Sequence, residues 1–303
     1  MDHPQYQHLL THPQAADIPQ ADAIRNAMSI DVEDYFHVSA FAPYISRDSW
    51  PDLACRIEAN MEWILGLTAA LDIKATFFVL GWIAERYPHL VKRVHQAGHE
   101  VASHGYGHQR VNEMTPEAFL RDVSTTKLIL EQLTGQPVVG YRAPSFSIGH
   151  GNQWAWDVLQ AAGYRYSSSV YPIRHDHYGM ADAPRFPFYP RDYGGLLEIP
   201  ITTVRMLDTN LPAGGGGYFR LLPYPVSRWM INHVNTEYSA PCIFYFHPWE
   251  IDPEQPRPCN LNMQTRWRHY LNLGRMRSRI ELLAHDFRWD RIDRIFLDRT
   301  WMH

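Results

Sequence analysis

The stretch Lys74-Ala-Thr-Phe-Phe-Val-Leu80, the helical run from Trp82 to Ala97, Gly98, and then His99-Glu-Val-Ala-Ser103 decides the fold class. Lys74–Leu80 is rich in β-branched and aromatic residues and has the length of a strand. The run from Trp82 predicts a helix, and Gly98 closes it as a residue free to take positive φ just past a helix end. His99–Ser103 reads as the next short strand. Strand, helix, strand in some thirty residues is the signature of parallel pairing through a helical crossover.

The alternation continues on both sides. Upstream, Ala27-Met-Ser-Ile30 reads as a buried strand ending in the carboxylate cluster Asp31-Val-Glu-Asp34, and Cys55 to Leu71 has helical spacing of Ile57, Met61, Ile64, Leu65 and Leu67. Downstream, Thr115 with Pro116 opens a helix that runs to about Leu133 and ends at Gly135. Val138–Tyr141 is strand-like, Asn152–Ala162 is helical and closed by Gly163, and Leu196–Pro200 and Cys242–Phe246 are apolar runs of strand length. Such a series predicts an α/β fold, either a barrel or a doubly wound sheet. Between about Tyr171 and Tyr224 the helical signal fails, so an irregular insertion is expected there. Its run Gly214–Gly217 lacks the Lys-Ser/Thr ending of a phosphate-binding loop and is read as flexible or tight backbone.

Composition narrows the function. The 303 residues suit one large domain or two small ones, and 45% hydrophobic with 20% charged residues is ordinary for a globular enzyme. A net charge of −4 provides no electrostatic footprint for nucleic acid, so no nucleic-acid partner is expected. Ten Trp, 17 Tyr and 13 Phe offer faces for stacking on sugar rings as well as core filling. The three cysteines, Cys55, Cys242 and Cys259, are too few and too scattered for a disulfide framework or a cysteine zinc site. The first 27 residues hold no apolar run of the roughly 7–15 residues a secretion signal needs, and no transmembrane segment is expected. The expected location is therefore the cytoplasm, with work at the inner face of the membrane. The expected divisions are a polar arm at 1–26, a main domain at 27–255 and a C-terminal extension at 256–303 with a basic helix near Arg275 to Leu283.

Four clusters carry chemistry. His104 and His108, in Ser103-His-Gly-Tyr-Gly-His108, stand four apart just beyond a strand and can converge on one metal; alone, the pair also fits two solvated loop histidines. Asp31, Glu33 and Asp34 repel one another unless a cation offsets them, which favours a cation site over a surface turn. A His, His, carboxylate set leaves a coordination position for water, and a second carboxylate can take that water's proton. Arg142, in Gly140-Tyr-Arg-Ala-Pro-Ser-Phe146, can grip a catalytic carboxylate, although the residues alone favour a structural salt bridge. His247, at the end of Phe244-Tyr-Phe246, suits a general acid or a core histidine bonded to a carbonyl.

In this order the motifs resemble the polysaccharide deacetylases of carbohydrate esterase family 4, the NodB-homology fold, over roughly residues 27–250. His104-Gly-Tyr-Gly-His108, Arg142-Ala-Pro-Ser145 and Phe246-His247 carry the likeness. Asp31-Val-Glu-Asp-Tyr-Phe-His37, Gly215-Gly-Gly-Tyr-Phe-Arg-Leu-Leu-Pro223 and His247-Pro-Trp-Glu-Ile-Asp-Pro-Glu-Gln-Pro256 are similar to the subgroup that accompanies exosortase-linked exopolysaccharide systems. The resemblance implies a distorted (β/α)7-type barrel and one Zn²⁺, or another divalent metal such as Co²⁺, Ni²⁺ or Mn²⁺. It implies that His104 and His108 are ligands with Asp34, or alternatively Glu33, as the third; that Asp31 is the base, oriented by Arg142; and that His247 is the acid. Tyr141, Pro144, Ser145 and Trp249 would shape the substrate pocket. The implied substrate is an N-acetylated oligo- or polysaccharide or its lipid-linked precursor. Two departures stand out: Asp31-Val-Glu-Asp34 replaces an adjacent Asp pair, and Tyr166-Ser167-Ser168-Ser169 lacks the Asp that relatives often carry. Outside this reading stand hydrolysis of a cyclic imide or ureide on the same fold, and a sugar-binding module without activity.

Overall fold

The computed structural model describes residues 24–175, 178–191 and 194–297, so most of the expected N-terminal arm lies outside the described residues. In chain order the strands are β1 (Arg25–Val32), β2 (Thr76–Val79), β3 (Glu100–Ser103), β4 (Gly140–Tyr141), β5 (Tyr166–Ser167), β6 (Leu197–Glu198), β7 (Thr203–Met206), β8 (Thr209–Pro212), β9 (Ile243–Phe246) and β10 (Arg288–Asp290). The helices are α1 (Ile57–Ala70), α2 (Gly81–Arg86), α3 (Pro88–Gln96), α4 (Pro116–Thr134), α5 (Trp154–Ala161), α6 (Gly216–Leu221), α7 (Tyr224–Glu237), α8 (Met263–Tyr270), α9 (Met276–Asp286) and α10 (Ile292–Phe296). Strands pair in parallel and alternate with helices, which makes the fold α/β as the sequence predicts. The described residues cluster into two compact units: one from 24–76, 97–100 and 215–297, the other from 77–96 and 101–214.

In the first unit β1 is the central strand. It pairs in parallel with β9 (Ala27 opposite Ile243, Ile30 opposite Phe246) and with β10 (Arg25 opposite Arg288, Ala27 opposite Asp290). Every residue of β1 after Arg25 is buried, as expected of a parallel strand covered on both faces. Buried Asn26 is satisfied: it exchanges amide hydrogen bonds with Asn235 at 3.0 and 2.8 Å and accepts the Cys242 N–H at 2.7 Å. The expected C-terminal extension thus contributes its own strand, β10, to the sheet. Gly215, at φ +117°, bridges to Tyr245, and a Cβ there would stand 2.0 Å from the Tyr245 carbonyl oxygen. The glycine run is therefore tight backbone, and only glycine fits.

In the second unit β3, β4, β5 and β6 pair in sequence, all parallel. The expected helix from Trp82 to Ala97 is two helices. Pro88 has no N–H to continue the ladder and disfavours helical backbone in Tyr87, which sits at φ −129°, ψ 57°. Thr115 caps α4 by accepting the Ala118 N–H at 3.3 Å, and Gly135 ends it at φ +67°. The stretch expected to be irregular contains an antiparallel hairpin, β7–β8. Among the described residues no helix is long and apolar enough to cross a membrane.

Candidate active site

The chemistry-bearing residues of the first unit gather where β1 and β9 end. Asp31, Glu33 and Asp34 are all buried. Asp31 and Glu33, two apart on an extended backbone, share a face. Both reach the His247 Nε2, at 3.8 Å from Asp31 Oδ2 and 3.4 Å from Glu33 Oε1. Asp34 does other work. Its Oδ1 accepts the Tyr35 N–H at 2.8 Å, its Oδ2 accepts the Arg56 N–H, and its own N–H donates to His37 Nδ1 at 2.8 Å. These bonds cap the short turn Tyr35–His37. Burial raises the Asp34 pKa against the hydrogen bonds from Cys55, Arg56 and Tyr35.

His247 leaves β9 and N-caps the turn Pro248–Ile251. Glu250, three residues on, accepts from the His247 backbone N–H at 3.0 Å and lies 3.1 Å from its Nδ1, both through Oε2. Its other oxygen takes the Arg220 Nε at 2.7 Å in a pair that is almost fully buried. Burial would lower the His247 pKa, but Glu250, Glu33 and Asp31 outweigh it and raise it to about 9. Burial would raise Glu250, yet Arg220 and His247 pull it down to about 2. The imidazole is thus held as a cation with Nε2 toward the carboxylates, its side chain 17% exposed. Trp249 donates its indole N–H to Glu33 Oε1 at 3.3 Å and stacks between His247 (5.3 Å) and His269 (4.2 Å). It is buried, so its place is as a support for the carboxylate and the imidazole.

The second unit holds His104, His108 and Arg142. His104 follows β3, its N–H bonded to the Val79 carbonyl at 3.0 Å. The turn that brings His108 back is enforced by Gly105 at φ +73° and by Asp122, whose carboxylate accepts the Tyr106 N–H at 3.1 Å. His108 itself takes φ +50°. The two rings are buried with centroids 5.4 Å apart. His104 Nδ1 lies 2.9 Å from the Arg142 carbonyl oxygen, which fixes Nδ1 as the protonated nitrogen and leaves the Nε2 lone pair for a ligand.

Arg142 is fully buried, with Nε and Nη2 each 3.1 Å from Ser168, to its carbonyl and its hydroxyl, and its guanidinium 4.1 Å over the Phe78 ring. Ser169 Oγ accepts the Ala143 N–H at 2.9 Å and the Ser167 hydroxyl at 2.8 Å. Beneath them Glu198 accepts from the N–H groups of Ser169 (2.7 Å) and Val170 (2.9 Å) and from the Trp156 indole (2.9 Å). The serines that replace the expected Asp are therefore load points for the Arg142 loop. The Tyr141 ring packs in the core against Phe119 and Tyr164, so only its backbone belongs to that loop. Pro144 is buried, and Ser145 is half-buried at φ +53°. Sequence reading missed Arg220, Glu250, Ser168 and Glu198. Of these Glu250 carried a signal, since His-Pro-x-Glu has capping-box spacing with Pro at the first position.

Comparison with known structures shows the fold. The chain aligns over 95% of its length, and 96% of the other, with a Mycobacterium smegmatis protein named for the polysaccharide deacetylases, at 19% identity and a TM-score of 0.58. It aligns with the allantoinase PuuE over 97% and 96% of the two chains, at 17% identity and 0.57. This is the (β/α)7-type barrel class that the motif order implied. Residues 44–167 match the family model for polysaccharide deacetylases, and residues 168–297 match a domain of unknown function, DUF3473. A peptidoglycan-N-acetylglucosamine deacetylase of Bacillus cereus is 34% identical over 89 residues, 29% of this chain and 32% of its own length. A peptidoglycan deacetylase of Helicobacter pylori is 27% identical over 130 residues, 42% of this chain and 43% of its own. The chain thus spans less than half the length of the curated relatives it matches. The likeness to the polysaccharide deacetylases thus lies in residues 44–167, and these two relatives are named as deacetylases.

Proposed function

We propose that the chain is a metal-dependent N-deacetylase acting on an amino sugar of an exopolysaccharide or of its lipid-linked precursor. The observation that carries the reading is the His104–His108 pair, with His104 Nδ1 tied to the Arg142 carbonyl so that Nε2 is the donor. Two neutral imidazoles and a carboxylate are a donor set that suits zinc or a similar divalent ion. The proposed set is His104 and His108 with one carboxylate of the Asp31–Asp34 cluster, as the resemblance implies. Glu33 is preferred to Asp34, because both Asp34 oxygens are occupied by backbone N–H groups. A divalent ion held there would polarise the acetyl carbonyl and lower the pKa of a water.

The chain's residues supply the proton transfers. Asp31 takes the proton from the attacking water. His247, oriented by Glu250, gives a proton to the amine as the C–N bond breaks, leaving acetate and a free amino sugar. Arg142, clamped by Ser168, is the residue proposed to orient Asp31. The exopolysaccharide assignment and the exosortase-linked subgroup rest on the resemblance of Gly215–Pro223 and His247–Pro256, both inside the DUF3473 match. Work at the inner face of the membrane is part of the same proposal.

The test is acetate release from N-acetylglucosamine oligomers and polymer, with and without chelator, and with allantoin and a cyclic imide as controls. Chelator-sensitive acetate release supports the reading. Hydrolysis of allantoin or the imide in its place overturns it.

A further inference from the structure

Residues 255–280 contain six arginines and no Asp, Glu or Lys, in a chain whose net charge is −4. Within this basic stretch α8 exposes its apolar side chains to water: Met263 is 87% exposed and Trp267 57%. They stand four apart and share one helix face. At about 100° per residue, Arg266 and Arg268 fall on either side of that face, and both are exposed.

The helix is anchored at both ends, so the exposure is not a frayed end. Asn262 caps its first turn by accepting the Thr265 N–H at 2.8 Å. His269, on the inner side, stacks on Trp249 at 4.2 Å and Phe41 at 4.4 Å and bonds Gln255 Oε1 through Nε2 at 2.7 Å. At its C-terminus the buried Arg220 Nη1 donates to the carbonyls of Arg268, His269 and Leu271 at 3.2, 2.7 and 3.0 Å. Arg257 lies 4.8 Å over the Tyr270 ring, adding a further cation beside the helix. Folding does not explain an outward Trp and Met on a helix fixed in this way.

A Trp and a Met flanked by arginines match the headgroup layer of a bilayer. There the apolar tips enter the acyl boundary and guanidinium groups meet phosphate. A soluble polyanion would meet the charges but would leave Met263 in water. We propose that α8, with Met263 and Trp267 as the inserting residues and Arg257, Arg266 and Arg268 as the headgroup contacts, docks the protein on a membrane surface rich in anionic lipid. The inference does not depend on the chemistry of the site.

The test is co-sedimentation of the full chain with vesicles of phosphatidylcholine alone and of phosphatidylcholine mixed with phosphatidylglycerol. Binding to the mixed vesicles, weakened by salt, is expected. Arg266→Ala and Arg268→Ala should each weaken it by about fivefold. Met263→Ser with Trp267→Ser should abolish it while leaving the thermal midpoint and acetate release unchanged. Equal binding to neutral vesicles, or undiminished binding by the double variant, overturns the proposal. So does retention by an anionic polysaccharide without vesicle binding, or a dimer lost in the double variant without vesicle binding.

Discussion

The Arg220 Nε stands 2.7 Å from Glu250 Oε1, and through the other oxygen of that carboxylate it governs how His247 is held. A buried ion pair gives little net stability but is expensive to break, at ~3–5 kcal/mol for one partner removed. Glu250→Gln should keep the shape and lose the charge. We expect kcat for acetate release to fall by about tenfold or more with KM little changed, and Glu250→Asp to recover part of it, as for a group that orients a proton donor. An unchanged kcat in Glu250→Gln would leave the pair a purely structural one.

The two candidate metal carboxylates separate cleanly by experiment. Glu33→Gln should lose most bound zinc by elemental analysis. Asp34→Asn should keep it and instead lose ~1–2 kcal/mol of stability in urea, because the cap over Tyr35 and Arg56 is weakened. The reverse pattern would restore Asp34 as the ligand.

Asp31→Asn should retain metal and lose acetate release by roughly 10²–10⁴-fold, the usual worth of a positioned acid or base. Undiminished release would move the base elsewhere.

Acid stability has a specific prediction in His99. Burial, with Lys74 and Arg291 nearby, lowers its pKa to about 4, and its ring accepts the Ala75 N–H at 3.2 Å. Below the unfolded value near 6.5 the unfolded chain takes up a proton that the folded chain refuses. This contribution is therefore complete above about pH 6.5 and is lost as the pH falls toward 4. His99→Gln should flatten the fall in urea midpoint across that window, and a slope equal to the parent's would assign the effect to other groups.

Legibility in the sequence followed locality. β2 and β9 were visible as short, mostly apolar runs, and β1 and β3 as short stretches with an apolar centre, all buried apart from Arg25. β10 was not, since Arg288-Trp-Asp290 has one apolar residue in three and becomes a strand only by pairing with β1 more than 260 residues away. The break before Pro88 was legible in principle, but the apolar spacing across it masked it. The i, i+4 histidines announced themselves. The choice between Glu33 and Asp34 did not, because it turns on an amide at Arg56, 22 residues from Asp34, that no spacing rule finds. Arg220 was equally hidden, as its partners lie in two separate segments, at Glu250 and at residues 268–272.

The His247–Glu250 turn has an evolutionary consequence. The proposed proton donor and the carboxylate that steadies it are encoded within four consecutive codons, so no insertion or deletion in the long connections elsewhere in the chain can alter their spacing. On the proposed function, loops that selected a sugar would thereby be free to diversify without retuning the acid.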